Sequence, residues 1–111
     1  MGEKGARMTG TAGEVADALV EDLHSIADVS TKRMFGGVGI FTEGTMFVIV
    51  DSEGQVFLRA DESTIPRFAA AGGDKHGRMP YWSVPAAVLS DADEFANWSE
   101  EAAEVARRAS R

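Results

Sequence analysis

The chain has 111 residues, 44% of them hydrophobic, and a formal net charge of −7 from 18 acidic against 11 basic residues. That length fits one domain, able to bury ~60–70% of the surface its unfolded form exposes. With no cysteine, a disulfide framework and a thiolate metal site are excluded; no apolar run approaches the ~18–20 residues of a membrane span. The acidic balance disfavours autonomous DNA binding, which needs a basic footprint.

Residues 1–10 are polar, lack the apolar core of a secretory signal, and read as a disordered tail before a single domain over 11–111. A cytoplasmic protein is the simplest expectation. Thr11 with Glu14 three residues on has the form of a capping box. Val15, Leu19, Leu23 and Ile26 recur at helical spacing, predicting an amphipathic helix over about 12–28. His24 lies off that stripe and reads as a solvated residue.

Residues 33–42 read as one extended segment interrupted by a bulge at Gly36-Gly37, because glycines inside a strand mark bulges or close approach. Glu43-Gly44 and residues 51–54 read as turns, and residues 45–50 and 55–60 as the second and third strands. Met46, Val48 and Val50 alternate with Phe47 and Ile49, so the middle strand is apolar on both sides. A strand of that kind is buried on both faces. With few helices available, its second face points to a homodimer or partner surface.

A middle helix is expected over about 62–71, with Pro66 in its first turn and Gly72-Gly73 as its stop. Residues 79–84 read as a short edge strand, flanked by Pro80 and Pro85, which lack an N–H donor. Ser90 is the expected cap of the last helix, whose seam is Phe95, Trp98, Ala102, Val105 and Ala109. Its closing arginines suit the C-terminal end of a helix dipole.

Little of this suggests catalysis. Only His24 and His76 could serve as histidine bases, and no serine sits in a nucleophile-elbow pattern. Two separated histidines do not make a zinc or copper site. The glycines match neither a dinucleotide fingerprint nor a P-loop, because a strand and not a helix follows them. The expectation is therefore no enzyme, no catalytic residue, no metal and no cofactor. Binding candidates remain: Lys32 and Arg33 before the glycines, the basic spot at Lys75, His76 and Arg78, and the adjacent aromatics Tyr81 and Trp82. Neighbours on a strand point to opposite faces, so at least one aromatic is expected to be exposed unless a helix or a second subunit covers it, which leaves a core or dimer-interface role and a partner-recognition role both open.

Arg33-Met34-Phe35-Gly36-Gly37 with Gly39, the run Val56-Phe57-Leu58-Arg59-Ala60-Asp61, the run Met79-Pro80-Tyr81-Trp82-Ser83-Val84-Pro85 and the closing helix with Trp98 together resemble the N-terminal domain of the TfoX/Sxy family, over residues 15–109. These bacterial proteins are linked to natural competence. The resemblance implies an α+β fold of order α-β(3)-α-β(2)-α, helices on an antiparallel sheet as in type III secretion chaperones, here as a stand-alone domain. It also implies a regulator or coactivator that works with a cyclic-AMP receptor-type transcription activator. It supplies no catalytic residues. The binding candidates are then Lys32, Arg33, Met34, Phe35, Gly36, Gly37, Gly39, Met79, Tyr81 and Trp82. The expectation is a homodimeric, non-enzymatic protein-interaction domain that acts as a regulatory adaptor. Two alternatives stay open, a weak nucleic-acid contact through Lys32, Arg33, Lys75 and Arg78, and a small-molecule pocket beside Gly36-Gly37 and Tyr81.

Overall fold

The computed structural model describes residues 10–24, 28–34 and 36–109. Helix α1 (Gly10–Leu23) is followed by four strands, β1 (Ser30–Met34), β2 (Gly37–Thr42), β3 (Thr45–Val50) and β4 (Val56–Arg59). A short helix α2 (Ile65–Ala70), strand β5 (Tyr81–Ser83) and helices α3 (Ala86–Leu89) and α4 (Ala92–Ala109) complete the chain. The strands form one antiparallel sheet in the order β1-β2-β3-β4-β5. No helix among the described residues is long and apolar enough to cross a membrane.

The expected α+β architecture holds, with five strands among the described residues, but four of them precede α2. The segment 33–42 is the reason. It forms a hairpin, in which Met34 pairs with Gly37 and a two-residue turn contains Gly36 at φ +81°. Turns of this length favour φ > 0, which glycine adopts without steric cost. Phe35 lies outside the described residues. Strand β1 starts as far back as Ser30, and the α1 helix correspondingly ends at Leu23, short of the expected 28; Ile26 lies outside the described residues. Thr11 stands inside α1, which begins at Gly10, and so does not cap it.

All four helices bury side chains in one core on the same face of the sheet. Ala12, Ala16, Leu19 and Leu23 of α1 recur every three or four residues and share a core with Val38 and Ile40 of β2 and Val48 and Val50 of β3, which α1 packs against. Phe95, Ala102, Ala103 and Ala106 of α4 close the same core. Trp98 is half-buried and clamps α2: its ring meets Phe68 edge-on at 5.1 Å, with the Arg67 guanidinium carbon 4.1 Å from its centroid. Asp91, not Ser90, caps α4, its carboxylate accepting the N–H groups of Asp93 and Glu94 at 3.1 and 3.2 Å. Ser90 ends α3 instead, its hydroxyl donating to the Ala87 carbonyl at 3.1 Å.

The bulge expected at Gly36-Gly37 lies elsewhere, in β3. Ile40 pairs with Val48 and Phe41 with Met46, so Phe47 has no partner on β2. One extra residue reverses the alternation of side chains beyond it. Phe47 therefore joins Val48 and Val50 under the helices, while Met46 and Ile49 belong to the cluster on the opposite, helix-free face.

Gly37 is held by close approach, since a Cβ there would run into the Val50 carbonyl oxygen and the Asp51 backbone. At Gly39 a Cβ would instead meet the Met46 and Met34 sulfurs, at 2.7 and 2.9 Å, which flexible side chains can withdraw. Gly37→Ala is expected to cost about 3 kcal/mol in urea unfolding and Gly39→Ala about 1 kcal/mol; equal costs would contradict this packing.

Candidate functional site

The helix-free face is built by alternation along the strands. Lys32 and Met34 of β1, Gly39 and Phe41 of β2, Met46 and Ile49 of β3, Phe57 and Arg59 of β4, and Tyr81 of β5 share it by register. Ile49, Phe57 and Tyr81 are buried there and Met46 packs against them. Their cover comes from the chain itself. The segment between α2 and β5 folds back along β5, where the Ser83 N–H donates to the Asp74 carbonyl at 2.9 Å, the His76 N–H to the Tyr81 carbonyl at 2.8 Å, and Lys75 bridges Trp82. His76 then lies edge-on against Phe57, with ring centroids 4.5 Å apart.

The expectation that the second face of β3 needs an outside cover is corrected by this arrangement. Phe47, Val48 and Val50 are fully buried and Ile49 nearly so within one subunit. Of the two aromatics whose exposure depended on cover, Tyr81 is buried and Trp82 is half-buried on the helix side. Among the described residues the exposed large hydrophobic is Met79, 37% accessible.

Met79 lines a pocket of about 130 Å³ with Met34, Gly37, Ile49, Asp51 and His76, and with Val38 and Val50 behind them. The structure thus brings together Met34, Gly37 and Met79 of the expected binding residues, with Gly39 and Tyr81 on the same face. Trp82 faces the helices and Arg33 alternates away from Lys32. Ile49 and Asp51 joined the site without warning from the sequence. Ile49 had the signal of a doubly apolar strand, but its facing depended on the bulge at Phe47. His76, expected as one charge in a basic loop, is half-buried, and its Nδ1 is buried with no hydrogen-bond partner among the described residues.

The basic residues do not gather. Lys32 and Arg33 lie on the β1 edge, whereas Lys75 pairs with Trp82 beyond β5, at the opposite end of the strand order.

The chain matches the model of the TfoX N-terminal domain over residues 21–106, from the last turn of α1 to near the end of α4. The chain belongs to the TfoX N-terminal domain family. No curated protein matches it. In this family member the residues of two of the sequence blocks, Arg33 to Gly39 and Met79 to Pro85, meet across the sheet at the pocket.

Tyr81 ties the bulge to the roof. Its hydroxyl donates to the Met46 carbonyl, next to the unpaired Phe47, at 3.0 Å. Burial raises the Tyr81 pKa above the ordinary 10, opposed by the nearby Arg59 cation. The folded state therefore holds the phenol proton more tightly, so this contribution to stability is complete below pH 10 and is lost as pH climbs through the raised value. Tyr81 is the chain's one tyrosine, so ultraviolet titration reads it directly and should give a midpoint above that of the urea-unfolded chain. Tyr81→Phe is expected to lose about 1–2 kcal/mol of stability. An ordinary tyrosine midpoint with no loss in the variant would contradict both statements.

Proposed function

We propose that this domain is a non-enzymatic protein-interaction module, acting as a regulatory adaptor in transcription, and that it grips an apolar side chain of its partner in the Met34–Met79 pocket. The observation that supports the reading is the make-up of this pocket. Two methionines line it, one of them exposed, on the sheet face that carries no helix. Methionine is flexible and polarisable, and is common at surfaces that adapt to a partner. A volume of about 130 Å³ suits one side chain, whereas metabolite sites run to ~300–1,000 Å³.

The pKa of Asp61 is lowered by the Ser63 hydroxyl bond at the start of α2, and that of Arg107 is raised by its bond to Glu104 on the surface of α4. Both serve the helices. The role of the TfoX/Sxy family as a coactivator beside a cyclic-AMP receptor-type activator indicates the class of protein partner, and with it a cytoplasmic location.

Immobilised wild-type and Met79→Asp domains, offered a purified activator of that class and native-host lysate, test the reading. Met79 is exposed, so the variant should keep its melting temperature while retaining at least about tenfold less partner. Equal retention by both proteins, or no specific retention by the wild type, would contradict it.

A further inference from the structure

The three methionines among the described residues, Met34, Met46 and Met79, all stay out of the core under the helices. Their sulfurs are placed differently. Those of Met34 and Met46 pack against Gly39, so close that a Cβ there would meet them at 2.9 and 2.7 Å. Met79 belongs to neither apolar cluster and is 37% accessible at the mouth of the pocket. Its backbone is fixed from both sides: its N–H donates to the His76 carbonyl at 3.0 Å, and its carbonyl accepts the Tyr81 N–H at 2.7 Å. The side chain therefore stands open to solvent while the backbone holds it over the pocket.

We propose that Met79 is a peroxide-sensitive switch for the pocket: oxidation of its sulfur to the sulfoxide releases the apolar side chain that the pocket grips. Hydrogen peroxide is the oxidant. A sulfur lone pair attacks one peroxide oxygen, an S–O bond forms, the O–O bond breaks, and the other oxygen takes up the proton of the first and leaves as water. Sulfur is oxidised by two electrons and peroxide is reduced by two. The product is polar, and methionine sulfoxide reductases reverse it. The pocket has little to bond the new oxygen. Its side chains are apolar apart from two. The Asp51 carboxylate is an acceptor that already takes the N–H groups of Glu53 and Gln55 at 3.0 and 2.9 Å, and the Nδ1 of His76 is buried. Burying the sulfoxide oxygen unbonded is costly, so it turns to water and the pocket loses its outer wall. The inference rests on the reading of the pocket as a grip for an apolar side chain and adds the regulation of that grip.

The test treats the free domain with hydrogen peroxide and locates the oxidation by peptide mass spectrometry. Toluene, the side chain of phenylalanine, is titrated in before and after, with the methyl groups of Met34, Ile49 and Val50 followed by NMR. Met79 should oxidise at least about fivefold faster than Met34 or Met46, following exposure. The melting temperature should hold, and toluene should bind about tenfold more weakly to the oxidised domain, recovering after treatment with the two sulfoxide reductases. In Met79→Leu, whatever its starting affinity, peroxide should leave toluene binding where it was. Oxidation of Met34 or Met46 as fast as Met79, unfolding on oxidation, equal toluene binding before and after, or an equal loss in Met79→Leu would overturn the switch and leave the pocket reading standing. Toluene that fails to bind even the reduced domain would overturn the pocket reading, and the switch with it.

Discussion

Strand β3 is apolar at every position from Met46 to Val50, and a strand can bury such a run only if both of its sides are covered. The bulge at Phe47 makes that possible in a small domain. By adding one residue opposite β2, it turns Phe47 to the same side as Val48 and Val50, so three of the five side chains lie under the helices. Only Met46 and Ile49 remain for the other side, together with Phe57 and Tyr81. That smaller patch is within reach of the segment between α2 and β5.

The helix-free face follows from this division. Tyr81 donates to the carbonyl beside the bulge, and His76 lies on Phe57. The backbone bonds that bring the segment there also close the β5 edge of the sheet. Where this cover stops, near Met79, the pocket opens between it and the β1–β2 hairpin. A single piece of chain thus shields the second side of β3, protects one sheet edge and shapes the site.

The helices were legible wherever apolar spacing was strong, as along α4, and the prolines around residues 79–85 placed β5 at an edge as expected. Two features were not. Strand β1 is the exposed sequence Ser30-Thr31-Lys32-Arg33, which has no apolar alternation to show a strand; its form depends on pairing with β2. Phe35-Gly36 could as well be a bulge as a turn, because the choice depends on whether the chain ahead of it is a strand. The cap of α4 passed from Ser90 to Asp91 because α3 uses Ser90 at its own end. At the site, Met34, Gly37 and Met79 stood out by their place in the family's sequence blocks, but their meeting required the hairpin and the fold-back along β5. The facing of Ile49 required the bulge, which no turn residue announces.

The account holds that β3 is sealed on both sides by one subunit. Urea unfolding followed through Trp82 and Trp98 fluorescence, at protein concentrations about a hundredfold apart, tests this most directly, since a fold completed by association gains stability by mass action. The account predicts the same midpoint at both concentrations. A midpoint that rises with protein concentration would mean that the ribbon depends on a second chain, and would contradict it.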